Sequence, residues 1–137
     1  MIELKSEALG KSIEVGRIIG HIDGPSDGPT MIFTAGIHGN EPSGIFALRQ
    51  VLDELKAKNV PVHGQIYALS GNLWALQRGE RFHKQDLNRM WTSEQVASLD
   101  SVPVENEDMQ EQVELNACIQ DIMSTSKGPI YFIDLPT

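Results

Sequence analysis

Apolar residues fall in short runs along this chain, and the spacing within each run predicts its form. Ser12 to Ile22 (SIEVGRIIGHI) is rich in Ile and Val and reads as a β-type run. Thr30 to Ala35 (TMIFTA) is a compact apolar run of the kind buried on both faces of a sheet. GPSDGP between them carries the Gly, Pro and Asp punctuation of a turn. After the loop GIHGNEPSG the period changes. Ile45, Leu48, Val51, Leu52 and Leu55 recur at three and four residue intervals, which predicts a helix over Ser43 to Lys58. Pro42 suits its first turn, and Asn59 with Pro61 closes it. Gln65 to Ser70 (QIYALS) is the next strand.

Gly71 to Trp91 lacks a period and reads as an irregular loop region with about one turn of helix. Thr92 to Glu107 is polar, contains Pro103, and reads as the segment freest to move. Leu115, Cys118, Ile119 and Ile122 then form one stripe of a helix over Asp108 to Met123, and Ile130 to Leu135 (IYFIDL) reads as a last buried strand. Strand, helix and strand joined by short links imply a right-handed crossover. The expected fold is therefore α/β, a mostly parallel or mixed sheet flanked by helices, forming a single domain over residues 1–137. A chain that stops two residues after a strand is expected to be incomplete at its C-terminus.

Composition narrows the function classes. A net charge of −8 argues against a nucleic-acid surface, which needs clustered Lys and Arg. No apolar run approaches the ~20 residues that span a bilayer, and Met1 to Gly10 lacks the pattern of a secretion signal. Glu105 to Glu114 holds five carboxylates and no basic residue, and reads as a solvated helix face or first turn. Cys118 is the single cysteine, which fits a reducing cytoplasm.

Two loops carry candidate chemistry. His38 and Glu41 lie three residues apart where a buried strand gives way to a helix, and imidazole and carboxylate are ordinary zinc ligands. Gly36 and Gly39 let the backbone bend between them, and the helix dipole favours an ionised Glu41. Alone, the pair reads first as a capping carboxylate and a polar loop histidine, since two ligands do not make a site. The second loop, GERFHKQDLNR, brings Arg81, Asp86, Asn88 and Arg89 together. Arginine pairs carboxylates through a planar fork of donors, although such a cluster also suits a surface salt bridge.

Taken together, GIHGNEPSG, GNLWALQRG and RFHKQDLNRMW resemble the succinylglutamate desuccinylase and aspartoacylase family, zinc hydrolases related to the zinc carboxypeptidases. The resemblance is strong over Gly20 to Trp91 and weak beyond. It implies zinc as cofactor, held by His38 and Glu41, and a small anionic N-acyl amino acid as partner. Arg81, Asn88 and Arg89 would hold substrate carboxylates or polarise the scissile carbonyl, Asn72 would line the same pocket, and Asp86 would orient an arginine.

The departures are also expectations. The family's third zinc ligand is a histidine after a buried strand, and here Pro136 stands in that place. No carboxylate here matches the family's water-activating glutamate, which lies further downstream. Zinc should therefore be weak, and the chain inactive alone as a truncated or degenerate copy. A non-catalytic carboxylate-binding module remains the alternative. His83 reads as a solvated loop histidine before it reads as a group approaching the metal. His21 and His63 are structural, Asp134 supports or packs before it ligates, and homo-oligomerisation is left open.

Overall fold

The computed structural model describes residues 1–25 and 27–136. The chain opens with a hairpin, β1 (Ile2–Ser6) antiparallel to β2 (Lys11–Val15), with Leu4 opposite Ile13. The Ile- and Val-rich run Ser12 to Ile22 is thus not one element. It breaks at Gly16-Arg17, and β3 (Ile18–Asp23) joins a different sheet. Arg17 explains the break. It is largely buried, with Nη1 donating to the carbonyl oxygens of Ser70 and Gly71 and Nη2 2.7 Å from Glu111 Oε2, which draws the backbone out of line with β2.

The main sheet adds β4 (Thr30–Ala35), β5 (Gln65–Ser70) and β6 (Ile130–Leu135) in the order β3-β5-β4-β6. β4 is parallel to both β5 and β6, while β3 is antiparallel to β5, so the sheet is mixed. Alternation along the inner strands sorts side chains to two faces. Ala35 and Ala68 face α1 (Ser43–Ala57) and the hairpin, in a core with Leu4, Val15, Ile45, Phe46 and Leu52. Ile32 and Leu69 face α4 (Glu107–Thr125), where Leu115 and Ile122 close the second core.

One expectation is corrected by packing and two are made more definite. Val51 lies off the buried stripe of α1 and is 54% exposed. The segment Gly71 to Trp91 contains a full helix, α2 (Leu73–Arg78), capped by Asn72 and closed by Gly79, and a 3₁₀ turn over Leu87–Arg89. Thr92 to Glu107 contains α3 (Ser93–Ala97), started by a capping box between Thr92 and Gln95. A second correction concerns β6. It is an edge strand, and Tyr131 and Phe132, which point to opposite faces, are 53% and 52% exposed. Its apolar sequence suits a buried strand, but among the described residues only its end is covered, where Leu135 packs against the α1 core.

Candidate functional site

Because β4 and β5 are parallel neighbours, the loops that leave them emerge at the same sheet end. Gly71 N and Asn72 N donate to the carbonyl oxygens of Ala35 and Gly36, so the pairing runs on past the strands. Gly36 turns the chain with a φ of +71°, a conformation that residues with a Cβ resist. The next residues deliver His38, whose ring is nearly buried between the two loops.

His38 sits between two carboxylates. Its Nδ1 lies 3.0 Å from Glu41 Oε2, and its Nε2 lies 2.8 Å from Asp86 Oδ1. Asp86 also accepts from the Asn88 amide through Oδ1, and its Oδ2 lies 3.7 Å from Arg81 Nη2. Burial works to raise the Asp86 carboxyl, but the bonds from His38 and Asn88 and the charges of His38 and Arg81 overcome it and hold it below the ordinary value. The close partner of Asp86 is thus His38, and the arginine is secondary. Glu41 stands before the Pro42 cap, outside the first turn of α1, so its orientation comes from the loop, where its amide donates to the His38 carbonyl.

The donor set suits a cation. A proton donated from Nε2 to Asp86 leaves Nδ1 as an acceptor facing the Glu41 carboxylate, and two acceptors at 3.0 Å need a positive centre at or between them. Two ligands of a tetrahedral zinc lie ~3.3 Å apart when each is ~2.0–2.1 Å from the metal, so His38 and Glu41 fit as a ligand pair. Among the described residues no group of three or more His, Cys, Asp and Glu side chains is placed to hold a metal ion. Pro136 is exposed and offers no donor, and His83 turns to Glu107 Oε2 at 3.2 Å and to the Trp74 ring.

The remaining site residues divide. Arg81 is half-exposed beside Asp86. Asn88 lines a cavity of about 340 Å³ between α4 and β6 with Thr34, Trp91, Asn116 and Asp134, and Thr34 Oγ1 donates to Asp134 Oδ1 at 2.7 Å. Arg89 is exposed and makes no ion pair among the described residues. Asn72 departs from its expected place. It is fully buried, its Oδ1 accepts from the Ala75 amide, and its Nδ2 donates to Asp108 Oδ1 at 2.8 Å, so the side chain serves α2 and α4 and not the pocket. Asp108 and Glu111 were hidden in the acidic stretch. Both are buried and fully engaged, while Glu105, Glu107 and Glu114 are not buried, as a solvated face should be. Their i, i+3 spacing on the side of α4 next to Leu115 was the available signal.

The fold and the cluster define an α/β domain whose polar groups gather at the C-terminal ends of adjacent parallel strands. The chain belongs to the succinylglutamate desuccinylase/aspartoacylase catalytic domain family, whose model matches residues 27–129. It is similar to the succinylglutamate desuccinylase of Pseudomonas fluorescens, with 36% identity over 72 residues, covering 53% of this chain and 21% of that protein. The enzyme of that name from Yersinia pestis is 37% identical over 62 residues, 45% of this chain and 19% of the relative. Among solved structures, the succinylglutamate desuccinylase of Chromobacterium violaceum superposes with a TM-score of 0.66 at 19% identity, covering 83% of this chain and 34% of that one. That of Vibrio cholerae gives 0.60 at 18% identity, covering 77% and 30%. The chain thus spans about a fifth of the curated relatives and a third of the solved structures it matches. Among the described residues no helix is long and apolar enough to cross a membrane.

Proposed function

We propose that this chain supplies the cation-binding and substrate-gripping part of a zinc-dependent deacylase that hydrolyses the amide of an N-acyl amino acid. The observation that carries the reading is the placement of His38 Nδ1 against Glu41 Oε2 while Asp86 takes the other ring nitrogen. Zinc, when bound, would supply Lewis-acid polarisation of the amide carbonyl and activation of water. His38 and Glu41 would hold it. Asp86 fixes the imidazole tautomer and ring orientation. Arg81 brings a guanidinium beside the pair, for a substrate carboxylate or the scissile carbonyl, and Asn88 and Arg89 extend the grip along the same loop. A local clamp is required, because a net charge of −8 does not draw anions toward the protein. N-succinylglutamate is the first substrate to try, since it is named in the matched relatives' activity.

With Pro136 in place of a third ligand, zinc binding by these 137 residues is weak, and no carboxylate among them takes the role of base. The test combines competition with a zinc-sensitive dye and an assay with N-succinylglutamate and N-acetylaspartate. Weak zinc binding that disappears in His38→Ala, with hydrolysis at background, is expected. Pro136→His should tighten zinc and leave the rate unchanged. Stoichiometric zinc surviving a chelator, or steady turnover by the unmodified chain, overturns the reading.

A further inference from the structure

Asp108 lies in the first turn of α4, fully buried, far in sequence from either site loop. Its carboxylate takes three successive backbone N–H groups from the arginine loop. His83 N donates to Oδ1 at 3.0 Å, and Lys84 N and Gln85 N donate to Oδ2 at 2.6 and 2.9 Å. Asn72 Nδ2 completes the set on Oδ1. The neighbouring residues of the helix seal the same junction, with Asn106 Nδ2 donating to Gln85 Oε1 and Glu107 beside the His83 ring. The next residue after this clamp is Asp86, which holds His38 Nε2.

Resting on the metal-site reading above, we propose that Asp108 is a positioning residue, which acts through the backbone of residues 83–85 to aim Asp86 at His38. A loop with three consecutive amides directed at one carboxylate has little freedom left, so the Asp86 side chain starts from a fixed backbone. The hydrogen bonds also hold the Asp108 carboxyl below its ordinary range, although burial by itself would raise it. Only an ionised carboxylate serves all four donors. An asparagine there must turn its NH₂ toward either the Lys84 and Gln85 amides or the His83 amide and Asn72 Nδ2.

The test needs no metal. In ¹H–¹⁵N spectra of the chain at neutral pH, the His38 Nε2 proton should be visible and slow to exchange, because Asp86 accepts it. Asp108→Asn should lose that resonance while the β4 and β5 amides stay protected. The exchanged pair Asp108→Asn with Asn72→Asp should regain it. There the carboxylate introduced at position 72 accepts from the side-chain NH₂ introduced at position 108. The amide oxygen at position 108 serves Lys84 and Gln85, and only the His83 amide loses its partner. Should the single variant fail to fold, the exchanged pair decides alone. A folded Asp108→Asn that keeps the resonance, a folded exchanged pair that lacks it, or an unmodified chain without it overturns the proposal. Loss and recovery in a chain that binds no zinc upholds the positioning role and removes only the metal reading.

Discussion

Asp86 Oδ1 and His38 Nε2 meet at 2.8 Å across 48 residues of sequence, and a proton donated there leaves Nδ1 as the acceptor that the proposed cation site requires. Carboxylates that orient a ligating histidine typically carry a ~10–100-fold share of metal affinity. Asp86→Ala should weaken zinc or cobalt binding by about that factor in dye competition, whereas His38→Ala should abolish it. Equal affinity in the variant and the unmodified chain would show that the ring is held by other means.

The Arg17–Glu111 pair ties the break between β2 and β3 to α4, and Glu111 Oε1 also accepts from the Trp74 amide at α2. Breaking one side of a buried pair leaves the other charge without compensation and costs ~3–5 kcal/mol. Arg17→Met should lose about that much stability in urea unfolding, whereas Arg17→Met with Glu111→Leu should lose less. A double variant worse than the single would sink the idea.

Acid stability follows from Asp108. Its folded carboxyl lies below the ordinary value, so its contribution is complete above the unfolded pKa of ~3.9 and is lost as the pH falls through the lower folded value. The urea midpoint of the unmodified chain should fall as pH drops below about 4. Asp108→Asn should start lower at pH 7 and show a flatter fall. Parallel acid profiles for the two proteins would assign the effect to other carboxylates.

Burial raises the Cys118 thiol above its ordinary value, Asp121 adds to that, and Arg17 opposes it. The thiolate is the reactive form, so alkylation by iodoacetamide at about pH 8 should run several-fold slower in the folded chain than in the urea-unfolded one. Equal rates in the two states would mean that this face of α4 opens readily.

Among the described residues the outer edge of β6 has no neighbouring strand, and Tyr131 and Phe132 on it are exposed. Such an edge templates pairing between chains, and a lysine on it disfavours that. Phe132→Lys should reduce concentration-dependent light scattering, with the folded content unchanged by circular dichroism. Scattering that does not respond would place the association elsewhere.

The sequence disclosed the elements whose period was unambiguous. Thr30–Ala35, Gln65–Ser70 and Ile130–Leu135 form strands over the bounds expected, and α1 ends one residue from its expected limit. It could not disclose where Arg17 would be pulled, because that depends on carbonyls at Ser70 and Gly71 and a carboxylate in α4. The hairpin and the β3 strand therefore looked like one run, and β1 passed unnoticed in a mixed polar segment. At the site, His38 and Glu41 were legible as a local pair. The pairing of Asp86 with Arg81 lies within one loop, whereas its closer contact with His38 exists only in space. Asn72 and Asp108 were harder still, since a buried asparagine and a buried carboxylate look polar and exposed until the partner that satisfies each is known.

Gly39 donates its amide to the Arg81 carbonyl at 3.2 Å, and a Cβ on it would collide with the Ala75 carbonyl and the Glu80 oxygen. The histidine loop and the arginine loop are therefore a single casting, with no slack for one to drift against the other. An insertion in either would displace both. On the proposed reading, differences in substrate would then be carried by the side chains of Arg81, Asn88 and Arg89, which are exposed on this shared frame.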